Sequence, residues 1–327
     1  MGWPLATLCP RGFFYDYTEG VDLLKNEKSF YELCIFVMNN KTSKMNLIKR
    51  VFNSLTTEPK TYKVEVKNVL IPSKYLERSV IVDIFLPPQY GHQKKQIYPT
   101  FYFNDGQDML RLGMFDTLTR LFEEKKLAPC IIVAAHCNEN RINEYGTARQ
   151  ADYKSRGNRA REYTRFMIDE LIPYIRSEFN SATDPAKNII AGFSLSALSA
   201  LDIAWATPSV FGKVGVFSGS LWWRSQAWTQ NDPDGGRIMH DIIAKSEQRK
   251  NMKFWFEVGT KDEEGDRNNN GIIDAIDDTV DLIEELCKLG YRPHQDIKYL
   301  EIEGGEHNPT TWGKVIPDFL PWALTDV

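Results

Sequence analysis

The sequence predicts an α/β fold, with a mostly parallel central sheet of about eight strands and helices on both faces. Three observations predict it. From Tyr98 onward, short apolar runs alternate with amphipathic stretches, the rhythm of strand and helix. Cys130-Ile-Ile-Val-Ala-Ala135 has no polar face, as expected of a strand covered on both sides. Ile189-Ile-Ala-Gly-Phe-Ser194-Leu-Ser-Ala197 leads into small and apolar residues as far as Ala206. It reads as a buried strand, a sharp turn with a serine at its tip, and a helix.

The 327 residues suffice for one large α/β domain with an appendage. With 42% hydrophobic and 26% charged residues, the composition is globular. A net charge of −4 argues against a nucleic-acid partner. No apolar run has the length of a membrane span, so no membrane partner is expected. The cysteines, Cys9, Cys34, Cys130, Cys137 and Cys287, are odd in number and form no Cys-x-x-Cys pair; buried free thiols are the expectation. The apolar run at 33–37 is too short for a signal core, and no small-residue cleavage site follows. A cytoplasmic location is therefore expected.

Residues 1–57 show no sustained periodicity and are read as an N-terminal extension, with helical stretches at 17–26 and 46–54. The catalytic domain is expected over 58–327. Alternation predicts a strand at 62–67. Ile71-Pro72-Ser73 marks a turn, and 79–86 form a second strand closed by Pro87-Pro88. A short buried strand follows at 100–104, broken by Asp105-Gly106-Gln107, and 115–126 is an amphipathic helix. After the Cys130 strand comes a polar loop, 136–161. A helix spans 162–179, with Pro173 placed to kink it. Beyond the serine turn, strands are expected at 213–217, 253–258 and 297–301, and helices at 237–250 and 276–289. In such sheets, function collects in the loops after the carboxyl ends of strands.

A serine hydroxyl at neutral pH needs a base to take its proton and a carboxylate to orient that base. Downstream of Ser194 the chain has three histidines. His240 lies mid-helix and His294 in a polar turn, both read as surface residues. His307 follows the last strand in a glycine-flanked loop, where the base belongs. Asp262 is the first carboxylate past the 253–258 strand, with Glu263 and Glu264 in reserve. Backbone N–H groups of Leu195 and Gln107 are placed to hold an oxyanion. One departure from the Gly-x-Ser-x-Gly elbow is plain: Ser196 occupies the last position.

With these pieces, the chain resembles the "putative esterase" family of α/β-hydrolases, which includes esterase D, enterochelin esterases, feruloyl and acetyl-xylan esterases, and mycolyltransferases. The resemblance runs from about residue 60 to the C-terminus. It is carried by Phe101-Tyr-Phe-Asn-Asp105-Gly106-Gln107, Arg141-Ile-Asn-Glu144-Tyr145, Glu170-Leu-Ile-Pro173, and Gly192-Phe-Ser194-Leu-Ser196-Ala197. Pro208-Ser-Val-Phe211, Ser218-Gly-Ser-Leu-Trp222-Trp223, Gly259-Thr-Lys-Asp262, and Gly305-Glu-His307-Asn308 with Trp312 complete it. It implies an α/β-hydrolase fold and an ester hydrolase with triad Ser194, Asp262 and His307, and no catalytic cofactor. The family usually has Gly-Gly where this chain has Ser196-Ala197.

Two further constellations stand out. The stretch beginning at Asp266 fits a calcium-loop template: Asp266, Asn268, Asn270, Asp274 and Asp277 as oxygen ligands, Ile272 through its carbonyl, and Gly271 at the sharp turn. A structural Ca2+ pinning the acid loop is the expectation. Asp105, Arg141, Trp222 and Trp223 flank the expected cleft and are candidate substrate contacts. Aromatic walls suit an aryl or sugar ester, and the arginine-rich loop 138–161 suits an anionic one. A small-molecule ester such as a feruloyl or acetyl-sugar ester is the expected partner. The rival readings are an acyltransferase using the same residues, and a non-catalytic binding protein on a degenerate hydrolase scaffold.

Overall fold

In the computed structural model, residues 63–92 and 96–325 are described. The chain divides into two units, Met1–Thr61 and Tyr62–Val327. The expected extension over 1–57, with its two helical stretches, lies outside the described residues.

The second unit is built on one eight-stranded sheet in the order β1-β2-β4-β3-β5-β6-β7-β8. Two antiparallel strands, β1 (Glu65–Ser73) and β2 (Arg78–Leu86), form one margin. β2 pairs antiparallel with β4 (Ile131–Ala135). From there β3 (Thr100–Phe103), β5 (Asn188–Phe193), β6 (Lys213–Phe217), β7 (Lys253–Lys261) and β8 (Ile297–Glu306) run parallel. β3, β4, β5 and β6 are buried at every residue, as the apolar runs require of strands covered on both faces.

Helices supply the covers. On one face lie α1 (Met114–Glu123) and α8 (Pro309–Leu324), whose Leu118, Ile316 and Phe319 pack with Ile189, Ala191 and Phe193. On the other lie α3 (Ala160–Arg165) and α4 (Ile172–Glu178), joined by a π-helical turn, Phe166–Leu171, and the helix α5 (Leu195–Ala206). α6 (Ile238–Ala244) and α7 (Asp274–Lys288) complete that face, and α2 (Arg141–Glu144) is one short turn. Burial of α5 on nearly every side fits its all-round apolar sequence.

Several sequence expectations shift. Ile71-Pro72-Ser73 is not a turn but the end of β1; Pro72 is tolerated because β1 has a single neighbour, β2, and the turn falls at 74–77. The helix expected over 162–179 is interrupted where Pro173 lacks an N–H: the Ile172 N–H reaches back to Met167, a π-type bond just before the proline. β7 and β8 each run further than expected, so Asp262 and His307 sit immediately past their strands. The helix at 237–250 shortens to α6. α8, with Pro317 and Pro321 inside it, has no counterpart in the sequence reading. His240 is buried rather than at the surface, its Nε2 2.8 Å from the Asp278 carbonyl; burial and the nearby Arg237 push its pKa down to about 3.

Among the described residues no helix is long and apolar enough to cross a membrane. Cys130, Cys137 and Cys287 are free thiols, the first buried.

β3 lies between β4 and β5: the chain steps from β3 to β4 on one side and then crosses back over β3 to β5 on the other. This is the topological switch point, where a crevice opens outside the carboxyl ends of the strands.

Candidate active site

Ser194 sits at the junction of β5 and α5 with φ 58° and ψ −124°, a backbone conformation rare for any residue but glycine. The surrounding contacts hold it there. The Ser194 N–H donates to the Phe217 carbonyl at 2.9 Å, and its own carbonyl accepts from the Ser220 N–H at 3.1 Å. Gly192 must be glycine: a Cβ there would meet the Ser196 carbonyl oxygen at 2.4 Å.

Ser196 explains its own departure from the glycine pattern. Its Oγ accepts from the Phe193 N–H at 2.8 Å and donates to the Phe193 carbonyl at 2.9 Å, closing the elbow on itself. Asn104 holds the other side: its Nδ2 donates to the Ser196 carbonyl at 2.9 Å, and its Oδ1 accepts from the Tyr163 hydroxyl at 2.7 Å.

The loop after β3 is held just as firmly. Asp105 is in the left-handed region (φ 57°) and its N–H donates to the Tyr145 hydroxyl at 3.1 Å. Gly106 packs on β4, where a Cβ would lie 2.5 Å from the Ala134 carbonyl oxygen. Arg141 donates to both Asp105 oxygens, Nε to Oδ1 at 2.9 Å and Nη2 to Oδ2 at 2.6 Å, and reaches the Phe193 carbonyl at 3.3 Å. Burial alone would raise the Asp105 carboxyl; the Arg141 bonds and charge, with Gln107, outweigh it and hold it below the ordinary carboxylate value. Asp105 is 1% exposed, so it shapes the loop from within and does not face the cleft as a substrate contact. Arg141 is the strap between this loop and the elbow.

Two backbone donors remain between the straps. Neither the Leu195 N–H, at the first position of α5, nor the Gln107 N–H donates to a described residue. The Gln107 side chain is engaged elsewhere, with Asp105 at 2.9 Å and the Cys137 N–H at 3.1 Å.

His307 and Asp262 meet from adjacent strands. His307 Nδ1 lies 3.3 Å from Asp262 Oδ2, and the Asp262 side chain is 1% exposed. The His307 ring stands edge-on to Trp312, whose Nε1 donates to Ser218 Oγ at 2.8 Å. Ser194 and His307 line one cavity of about 230 Å³ together with Trp222, Asp262 and Glu263, although no hydrogen bond joins serine and histidine. Such contacts commonly tighten only with substrate present.

Glu257 was missed in sequence. It is buried in β7, neither carboxyl oxygen has a partner among the described residues, and burial together with Asp262 pushes its pKa up to about 8. The available signal was an acidic residue inside the apolar run Phe254-Trp-Phe-Glu257-Val258. The Glu263 carboxyl is raised as well, by partial desolvation and by Asp274, although the residue is exposed overall.

The two tryptophans part company. Trp222 is 38% exposed and lines the cavity; Trp223 is 0% exposed and belongs to the core, which removes it from the candidate substrate contacts. Of the loop arginines, Arg156 pairs with Asp152 and stacks on both indoles, 5.1 Å from Trp222 and 4.9 Å from Trp223.

The calcium expectation is not supported. Asp274 is engaged by the Arg267 backbone N–H at 2.9 Å and its guanidinium at 3.1 Å, so the chain's own cation occupies that carboxylate. Asp266 caps the N–H groups of Asn270 and Gly271, Asn270 Oδ1 accepts from the Ile272 N–H, and Asp277 accepts from the side-chain amides of Asn268 and Asn270. Among the described residues no group of three or more His, Cys, Asp or Glu side chains could hold a metal ion.

The pattern of the family described as "Putative esterase" matches residues 73–323. The chain belongs to this esterase family. Within curated sequences it is similar to YjcH of Bacillus subtilis, 23% identical over 81% of this chain and 99% of that protein. It is also similar to YbbA of the same organism, 27% identical over 45% of this chain and 59% of that protein. An endo-1,4-beta-xylanase/feruloyl esterase of Xylanibacter ruminicola is 25% identical over 48% of this chain and 22% of that protein. Thus the chain spans little more than half of YbbA and about a fifth of the xylanase.

Solved structures place the family on its fold. A ferulic acid esterase superposes with TM-score 0.62 at 17% identity, covering 80% of this chain and 98% of that one. The enterobactin esterase FES from Shigella flexneri gives 0.62 at 18%, covering 81% and 60%. These likenesses carry the α/β-hydrolase fold.

Proposed function

We propose that the protein is a serine carboxylic-ester hydrolase acting on small esters through Ser194, His307 and Asp262. The observation that carries this reading is Ser194 held at φ 58° in the same cavity as the His307–Asp262 pair.

Ser194 attacks the ester carbonyl, and His307 accepts its proton and later gives it to the leaving alcohol. Asp262 fixes the ring with Nδ1 protonated and stabilises the cation that forms. The unengaged N–H groups of Leu195 and Gln107 hold the oxyanion, each worth about 3–4 kcal/mol in such sites. Water then releases the acyl group from Ser194. Every step is assigned to side chains and backbone amides of this chain. Trp222, exposed on the cavity wall, suits an aryl or sugar moiety, in keeping with feruloyl or acetyl-sugar esters.

Ser196 weighs against a degenerate scaffold. Its two bonds to Phe193 keep the elbow closed where glycine is absent, so the substitution preserves the turn. Hydrolysis of p-nitrophenyl acetate tests the reading. Wild type should turn over, and Ser194→Ala should lose on the order of 10⁴-fold or more in kcat. An inactive wild type, or a mutant of unchanged activity, overturns it. Acyl transfer to an added alcohol in preference to water would move the reading to the acyltransferase alternative.

A further inference from the structure

Beyond Trp222 and Glu263 lies a second cavity, of about 360 Å³, that shares both residues with the cavity at Ser194. Three arginines of its wall and surroundings differ sharply in how they are neutralised. Arg267 is paired with Asp234, Asp274 and Asp278 at 2.7, 3.1 and 2.8 Å. Arg237, just behind, is paired with Asp278 and Asp281, each at 2.7 Å. Arg224 is 6% exposed and makes no ion pair with any described residue. Among the described residues its guanidinium makes one hydrogen bond, from Nη1 to the Gly235 carbonyl.

A guanidinium keeps its charge even when buried, and burying it without a counter-charge is costly. Burial, with Arg267 and Arg237 nearby, pushes its pKa down against the pull of Asp278. The remaining Arg224 donors are bonded to no described residue, yet they are not among the sealed polar atoms; they open on the cavity that the residue lines. Lys154 and Arg156 stand on the same wall, and Trp222 and Trp228 offer exposed indole surface. The neighbouring carboxylates stand outside ion-pair distance of Arg224: Asp274 pairs with Arg267, and Asp278 with Arg267 and Arg237.

We propose that this second cavity is an anion-reading subsite of the ester site, which receives a carboxylate carried by the substrate while the spacer between carboxylate and ester lies along Trp222. The inference rests on the esterase reading and deepens it: the substrate class is a small ester bearing an acidic group. Arg224 is the specificity-determining residue, because beyond its bond to Gly235 it supplies planar, charge-assisted donors with no partner among the described residues. The site is built to bond the acid, so a neutral analogue leaves those donors unpaired.

Two matched pairs of esters test it. p-Nitrophenyl hydrogen adipate against p-nitrophenyl hexanoate puts the carboxylate on the acyl side; p-acetoxybenzoate against p-acetoxybenzamide puts it on the alcohol side. Wild type should favour the anionic member of at least one pair by about 10- to 100-fold in kcat/KM. Arg224→Gln should cut that ratio by about 10-fold or more, and Arg224→Lys should keep part of it. Equal rates within both pairs in wild type, or a ratio intact in Arg224→Gln, overturns the proposal. Should Arg224→Gln melt as an unfolded chain, inhibition of the wild type decides: p-hydroxybenzoate must compete better than p-hydroxybenzamide, and Lys154→Gln must narrow the difference. Binding of p-acetoxybenzoate to the Ser194→Ala protein, read by tryptophan quenching, separates the two readings. Anion-selective binding without turnover of any ester defeats the hydrolase alone. Turnover without anion preference defeats the subsite alone.

Discussion

The two halves of the candidate site are held in different ways. On the Ser194 side, β5, α5 and the loop after β3 are tied together by hydrogen bonds of Ser196, Asn104 and Arg141. Across the cavity, the His307–Asp262 contact is long at 3.3 Å, the ring is partly exposed, and Asp262 Oδ1 and both Glu257 oxygens lack described partners. Ser194 is over-determined by its frame. His307 and Asp262 depend on one another, and His307 on its edge contact with Trp312. Such a division keeps the strained residue in place and leaves room for the histidine to adjust as substrate enters.

The largest loss of activity is expected at Asp262. In Asp262→Asn the amide can donate to Nδ1 and favour the wrong tautomer of His307, so kcat should fall by about 10⁴-fold while the protein stays folded. Steady-state kinetics beside a thermal melt checks this; a fall below about 10-fold would mean that Asp262 does not orient the base.

On the other side, Ser196→Ala removes the acceptor from the buried Phe193 N–H. An unsatisfied buried donor costs about 1–3 kcal/mol. The melting temperature should fall by several degrees, about 2–4 °C for each kcal/mol in a domain of this size. Activity should suffer less than in Asp262→Asn. An unaltered melt would show that the Ser196 bonds do not secure the elbow.

The smallest effect on activity is expected at Glu257, where the change is in stability and depends on pH. Its folded pKa, about 8, lies above the ordinary glutamate value of 4.5. The native state therefore binds a proton that the unfolded chain releases, so stability declines as pH rises from about 4.5 to about 8. Glu257→Gln removes that decline. The variant should match wild type near pH 4.5 and melt progressively higher than wild type as pH rises toward 8. Parallel melting curves across that range would contradict the account.

Much of this arrangement was legible in the sequence because each signal had one physical meaning. Gly192 before Ser194 marks a turn too tight for a Cβ, and Asp262 and His307 each follow an apolar strand. What was not legible depends on three-dimensional partners. Ser196 reads as a defect until its hydroxyl is seen on Phe193, and Asp105 and Arg141 read as ligands until they are seen bonded to each other. Trp222 and Trp223 are neighbours in sequence, yet one lines the cavity and the other fills the core. Prolines 317 and 321 hid α8, because tertiary packing of Ile316 and Phe319 overrides their local cost. The loop at 266–277 matched an oxygen-ligand template, and only the structure shows Arg267 on its Asp274.

Covalent trapping shows whether Ser194 is the nucleophile. Diethyl p-nitrophenyl phosphate should transfer one diethylphosphoryl group to the intact protein, with loss of esterase activity. Peptide mapping by mass spectrometry should place the group on Ser194, and Ser194→Ala should take up none. No adduct on an active wild type, or an adduct on Ser196, Ser218 or Ser220 instead, would contradict the account.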